Sequence, residues 1–408
     1  MAILDVIVVG GGPAGLLAAI EAAKAGAEVL VLEEHDEVGR PTHCAGLVSA
    51  SGLEMLGVRG NFIQGWARGA ILHSPGGAEL RIDAKRRVAY VIDREAFDKR
   101  LAEEALDRGA RLLCKARALE PLKGQGIKGV KAKANGKFLS LSSKVVIDAE
   151  GAKFKLSKLA GLPTPTSSSI YPAAQFEFEG GEFEEGFVEL FFNEKWAPDF
   201  FAWAIPFDGG CRVGLASSMG RSRDLLLHFI KKSPEMSARL KHAVLKKVSG
   251  GLLVLSGPLS KTHVDGFMLV GDVAGHTKPT TGGGLVFGGL AAKIAGKEAA
   301  AYSVGGDPGA LRRYERLWRN LFGKELSRMR ALRAILPILG SDRCEGIFRL
   351  AKLLGLEVIL SKAGDMDLHA WTAAKLMLRP KLAPLLGLVA MGMLTESLKR
   401  SCELALKQ

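Results

Sequence analysis

Val6-Ile7-Val8-Val9-Gly10-Gly11-Gly12-Pro13-Ala14-Gly15, closed downstream by Val29-Leu30-Val31-Leu32-Glu33, is the stretch that decides the fold. It reads as a buried strand, a Gly-x-Gly-x-x-Gly turn, an alanine-rich helix, a second strand and an acid. In that pattern Gly10 permits the tight turn, Gly12 lets the backbone approach a pyrophosphate, and Gly15 lets helix and strand pack closely. The pyrophosphate belongs at the helix N-terminus, where unpaired N–H groups and the dipole favour negative charge. Glu33 is placed to accept hydrogen bonds from a ribose. An α/β dinucleotide-binding unit is therefore expected.

At 408 residues the chain is long enough for two or three domains. Its net charge of +13 suits nucleic acid, an anionic membrane surface or an acidic substrate. Nucleic acid is not expected, because aromatic content is only 7% and no RNA- or DNA-binding motif occurs. Cys44, Cys114, Cys211, Cys344 and Cys402 are scattered without a Cys-x-x-Cys pair, so neither a metal site nor a disulfide framework is expected. The first strand begins at once, so no signal peptide is expected. No apolar run reaches the roughly 20 residues of a membrane-spanning helix. The cytoplasm is the expected compartment.

Outward from the first unit, the loop Glu37–Ser49 leads into short alternating segments over 66–92 that suit a small antiparallel sheet. Phe97, Leu101 and Ala105 are spaced for a helix over 94–108, and strands are expected at 110–119, 126–135 and 137–147. From Tyr171 to Gly214 the pattern turns to aromatic-rich strands, including Phe176, Phe178, Phe191, Phe201 and Trp203. Two readings of that greasy face stand: a plain core, or a tunnel for a long apolar ligand. The division expected is 1–165 with 255–302 as a discontinuous nucleotide-binding domain, 166–254 as a substrate-binding β-sheet domain, and 303–408 as a helical region.

A second strand–glycine–acid unit, Gly266-Phe267-Met268-Leu269-Val270-Gly271-Asp272, precedes Pro279-Thr280-Thr281-Gly282-Gly283-Gly284 and an alanine-rich helix. It favours FAD over NAD as the tightly bound nucleotide. Asp272 at a strand end is placed for a ribityl hydroxyl. The N–H groups of Gly283, Gly284 and Leu285 open a helix that suits the pyrimidine edge of a flavin and the negative charge it carries when reduced.

These residues, with Pro41-x-x-Cys44-x-Gly46-x-x-Ser49, Arg94-x-x-Phe97-Asp98 and Phe201-Ala202-Trp203-Ala204-Ile205-Pro206, carry a resemblance to the geranylgeranyl reductase family. The resemblance spans roughly residues 1–330. It implies a Rossmann-like FAD domain of the glutathione-reductase and para-hydroxybenzoate-hydroxylase type with an inserted antiparallel sheet. It also implies reduction of isolated C=C bonds in polyprenyl chains, such as those of archaeal ether lipids or chlorophyll. Carried onto this chain, it assigns Ala14 and Glu33 to the ADP part of FAD and Arg40 to the pyrophosphate. Cys44, Ala45 and Gly46 would lie near the flavin, Arg94 and Ala118 near the adenosine side, and Asp272, Gly284 and Leu285 would complete the site. Trp203 and Pro206 would wall the prenyl pocket with Phe201. Cys44 is the catalytic candidate, for alkene positioning or proton delivery.

Two departures stand out. Phe201 takes the place of a tyrosine and Ile205 of a phenylalanine in the family's Tyr-x-Trp-x-Phe-Pro. The same segment is similar to the Trp-x-Trp-x-Ile-Pro of flavin-dependent halogenases, so a monooxygenase or halogenase acting on an aromatic substrate is the alternative. A non-catalytic prenyl carrier of the Rab GDP-dissociation inhibitor kind is a second. His43 and His276 border the expected site and are read as solvated or structural rather than catalytic. The basic stretch 311–333 (Arg312, Arg313, Arg316, Arg319, Lys324, Arg328, Arg330, Arg333) suits a solvated face or phospholipid headgroups. The apolar run 382–394 is too short to span a membrane and suits a packed helix or a monotopic membrane contact, the first being favoured. A peripheral position on the inner face of the membrane follows, with a polyprenyl lipid as substrate. An external electron donor is required, and ferredoxin and NAD(P)H both fit.

Overall fold

The opening motif folds as its residue types require. Strand Leu4–Val9 is buried almost throughout, and helix Pro13–Lys24 starts with Pro13 in its first turn, where a missing N–H is no loss. The computed structural model describes residues 3–334, 340–385 and 387. Five parallel strands form the core of the first sheet, in the order Phe267–Leu269, Lys137–Asp148, Leu4–Val9, Val29–Leu32 and Arg111–Leu113. Their Val, Ile and Leu side chains are buried on both faces, as a helix-covered parallel sheet demands. Helices Pro13–Lys24 and Leu285–Ser303 pack against each other, so the two glycine-rich units are joined in one body. Ala116–Gly124 and Gly126–Ala134 add an antiparallel meander onto the outer half of Lys137–Asp148.

A seven-stranded sheet runs Val244–Val254, Ile170–Glu179, Gly210–Ala216, Ala202–Phe207, Phe187–Phe191, Gly69–His73, Glu79–Asp83. Its last two strands come from the 66–92 region, which was expected to form a sheet of its own. Only Ile63–Ala67 and Ala89–Ile92 do that, with Leu47–Ser49. Gly69–His73 instead pairs in parallel with Phe187–Phe191, a long-range pairing that local alternation cannot encode.

Strand parity sorts the aromatic segment onto two faces. Phe176, Phe178, Ala202, Ala204, Val213 and Leu215 pack under helices Ser222–Lys232 and Pro234–Arg239. Phe201, Trp203 and Ile205 cluster on the other side with Tyr171, Ala45, Leu47 and Met366. Phe201 and Trp203, 7% and 9% exposed, are mostly packed against these neighbours.

The basic stretch breaks into helix Ala310–Trp318, a π-turn at Arg319–Gly323 and helix Lys324–Arg333. It is not uniformly solvated. Arg313 pairs with Glu298 and Asp307, Arg319 pairs with Glu315, and Arg333 is buried against the rings of Tyr171 and Phe200. Most of the apolar run 382–394 lies outside the described residues, as does Cys402.

Candidate active site

The nucleotide turn carries three glycines with separate steric demands. Gly10 sits at φ +106, and a Cβ there would come within 2.4 Å of the Ala149 carbonyl oxygen. A Cβ on Gly15 would come within 2.0 Å of the Gly10 carbonyl. At Gly12 a Cβ would meet no protein atom within 4 Å, so nothing in the chain itself explains the absence of a side chain there. Glu33, 8% exposed, is held beside the turn by the Gly11 N–H at 2.7 Å and the His35 N–H at 2.9 Å. Ala118 lies on strand Ala116–Gly124, paired with Ala132.

Arg40 does not stand free to meet a pyrophosphate. Its guanidinium is largely exposed and held by Glu37 and Glu95, both at 2.8 Å. It rims a cleft of about 820 Å3 between the loop Glu34–His43 and residues 247–250.

Arg94, assigned by the resemblance to the adenosine side, lines the same small cavity as Cys44. It opens helix Arg94–Asp107, which Asp93 caps, and it pairs with Asp98 at 3.0 Å. Burial opposes its charge. The Asp98 carboxylate outweighs that and keeps Arg94 protonated above its ordinary range. Its charge also reaches Asp272. Burial pushes the Asp272 carboxyl above the usual carboxylate range, with Arg94 opposing. Among the described residues no side-chain hydrogen bond to the Asp272 carboxylate is formed. Its oxygens are thus left free for a hydroxyl-bearing ligand. Gly284 and Leu285 open helix Leu285–Ser303 beside it, and a Cβ on Gly284 would come within 2.8 Å of an Asp272 oxygen. Gly283 is exposed on the same turn. Taken together, the open space at Gly12, the partnerless Asp272 and the helix start at Leu285 fit FAD.

The sheet face above Cys44 is half apolar and half polar, and sequence reasoning missed the polar half. Gln175, Glu177 and Arg212 share the parity of Trp203. Arg212, 5% exposed, donates to Glu177 at 2.8 Å, to the Ala45 carbonyl at 3.0 Å and to the Ile92 carbonyl at 3.1 Å. A buried cation needs such a set of acceptors. Gly46, at φ +76, makes room for it, since a Cβ there would sit 2.4 Å from the guanidinium. Trp203 lies flat over Gly214, whose Cβ would meet the ring at 2.5 Å. Gln175, Glu177 and Arg212, with Thr42, Gln64, Arg94 and Ser249, enclose a small cavity of about 80 Å3 at Cys44. The alternation Gln175-Phe176-Glu177-Phe178 was the available signal. Pro206, expected to wall the pocket with Trp203, pairs with Cys211 and by strand parity shares the face of Ala204 and Cys211, away from Trp203.

His276 is fully buried beside Trp318 and Phe322, and burial takes its pKa down to about 3. It accepts from the Gly271 N–H at 3.3 Å and is a structural, neutral residue. His43 stands on the rim of the larger cleft, against Gly251.

A family model described as FAD dependent oxidoreductase matches residues 5–169. Over 393 residues the chain is 33% identical to the digeranylgeranylglycerophospholipid reductase of Methanothrix thermoacetophila, which spans 93% of this chain and 97% of that one. The chain belongs to the geranylgeranyl reductase family. It is an FAD-dependent oxidoreductase. Among solved structures, a geranylgeranyl bacteriochlorophyll reductase-like protein from Thermoplasma acidophilum superposes with a TM-score of 0.83 at 26% identity. That match covers 95% of this chain and all of the other. A flavin-dependent brominase superposes with a TM-score of 0.71 at 18% identity, over 92% of this chain and 98% of its own. At that identity the likeness is one of fold.

Proposed function

We propose that this protein reduces isolated C=C bonds of geranylgeranyl or other polyprenyl chains, on membrane lipid precursors of the archaeal ether type. The observation that carries the reading is the meeting of two surfaces at Cys44. Arg94, whose charge reaches Asp272, lies on one side, and on the other lies the sheet face, whose Gln175 joins Trp203 to the Cys44 carbonyl. An isolated alkene has no carbonyl to polarise, so orientation in a dry site is the main help a protein can give.

Bound FAD, once reduced by an external donor, would supply the hydride. In this reading Gly10, Gly12, Ala14, Gly15, Glu33 and Ala118 hold its ADP part, and Asp272, Gly283, Gly284 and Leu285 hold the flavin end. Arg94 fixes the Cys44 loop from below and Arg212 fixes it from the sheet. Trp203 and Phe201 keep the alkene flat, and Cys44 Sγ is the atom from which a proton reaches the second alkene carbon. The nucleotide-binding segments 1–165 and 255–302 thus serve the cofactor, and the sheet serves the lipid.

Among the described residues no helix is long and apolar enough to cross a membrane. Exposed Leu317 and Leu321 stand among exposed Arg312, Arg316, Lys324 and Arg328. That mixture suits a peripheral contact with an anionic leaflet. Electrons arrive from an external donor. The separating test against an oxygen-using enzyme is turnover of the reduced protein under strict anaerobiosis. A reductase consumes polyprenyl substrate there, and a monooxygenase does not.

A further inference from the structure

The loop Lys278–Gly284 contains Thr280, Thr281 and three successive glycines, so it has few side chains with which to order itself. Its order comes from the far end of the chain. Lys278, 6% exposed, donates from Nζ to Asp367 Oδ1 at 2.9 Å and to the Met366 carbonyl at 2.8 Å. Its backbone N–H donates to the Gly283 carbonyl at 3.0 Å, and its carbonyl accepts from the Gly282 N–H at 2.8 Å. The lysine stem fills the space beside Gly283, where a Cβ would lie 2.8 Å from Cε.

The second oxygen of Asp367 accepts from the Ser49 hydroxyl, which itself caps helix Ala50–Leu56 through the Gly52 N–H at 2.9 Å. One buried carboxylate therefore ties together the end of the Cys44 loop and the glycine loop. A second tie runs through His369, which burial keeps neutral with a pKa of about 4. Its Nε2–H donates to the Met366 carbonyl at 2.8 Å, which leaves Nδ1 to accept from the Thr280 hydroxyl at 2.6 Å. Asp365 fixes the turn by accepting from the N–H groups of Asp367 at 2.8 Å and Leu368 at 3.0 Å. Glu325 anchors the following helix by accepting from the Ala370 N–H at 2.6 Å.

We infer that residues 365–369 are a clasp that holds the Lys278–Gly284 loop in its FAD-binding shape, with Asp367 as a positioning residue acting through Lys278. A preformed loop binds FAD without first losing its own freedom, which is an affinity gain made without contact. The inference rests on FAD as the cofactor and not on the polyprenyl substrate.

The test is FAD titration of apoprotein by flavin fluorescence, together with amide hydrogen exchange on the same apoprotein. Asp367→Asn is expected to raise the Kd for FAD by at least about tenfold, the scale of losing a buried charge-assisted hydrogen bond. Exchange of the 278–284 amides should speed up while helix Pro13–Lys24 stays as protected as before. Lys278→Met should do the same, and the double variant should lose no more than either single one. Asp367→Glu should recover part of the affinity. Thr280→Val, which removes only the tie to His369, should give a smaller loss in the same direction and covers the case in which Asp367→Asn does not fold. FAD affinity within about twofold of the parent, unchanged loop exchange, or an equal loss of protection in helix Pro13–Lys24 would each overturn the clasp. No step involves a polyprenyl chain, so failure here leaves the proposed reaction standing, and failure of the reaction leaves the clasp standing.

Discussion

Trp203 donates its indole N–H to the side-chain oxygen of Gln175 at 3.1 Å, and the amide nitrogen of Gln175 donates to the Cys44 carbonyl at 3.3 Å. One side chain thus couples the aromatic wall to the loop beside it. Gln175→Leu would leave a buried N–H without an acceptor, so we expect a loss of about 1–3 kcal/mol in stability. It should also lower kcat/KM for polyprenyl substrate while FAD affinity changes little. Thermal unfolding, FAD titration and steady-state kinetics on one preparation check all three.

The glycines of the first turn make a sharper pair. Gly15→Ala drives a Cβ into the Gly10 carbonyl and should yield little folded protein. Gly12, with φ −79 and ψ 177, accepts an alanine without strain and without a protein clash. Gly12→Ala should therefore fold normally and lose FAD, with apoprotein melting close to that of the parent and a colourless preparation as the readout.

The βαβ unit, the Arg94 helix and the Asp272 strand end were legible because each rests on local spacing, with glycines at fixed offsets from apolar runs. What depended on distant pairing was not. Gly69–His73 joins Phe187–Phe191, and nothing within either segment names the other. Arg212 was hidden for a similar reason. Its charge is satisfied by Glu177 and by carbonyls of Ala45 and Ile92, which chain topology alone brings together. Arg333 read as part of a solvated face but lies against Tyr171 and Phe200, since a long cationic side chain can bury its stem on apolar surface. The greasy strands were read correctly as strands. Which of their faces meets Cys44 required the sheet.

Asp272 provides a prediction with a sign. Burial raises its folded-state pKa, with Arg94 opposing, so the folded apoprotein takes up this proton more readily than the unfolded chain. The associated stability is complete below the ordinary carboxylate pKa and is lost as pH rises through the raised value. Asp272→Asn removes that loss. The melting temperature of apo Asp272→Asn relative to the parent should rise between about pH 4 and pH 8. Its FAD affinity should fall by about tenfold or more, as for loss of a charge-assisted hydrogen bond. Calorimetry of the two apoproteins across that range is the check.

Membrane contact can be separated from catalysis. Reversing Arg316, Lys324 and Arg328 to glutamate should weaken binding to anionic phosphatidylglycerol vesicles by about 1 kcal/mol or more per position. Binding should also fall with added salt. Activity on a detergent-dispersed substrate should be retained. Vesicle co-sedimentation with an activity assay on the same variant reads both.

The reaction itself is tested most directly by mass spectrometry of a geranylgeranyl glycerophospholipid after anaerobic incubation with dithionite-reduced, FAD-loaded protein. The account predicts products heavier by two hydrogens for each double bond saturated, with the yield falling sharply in Cys44→Ala. A yellow, FAD-replete protein that returns every polyprenyl lipid at its original mass would contradict it.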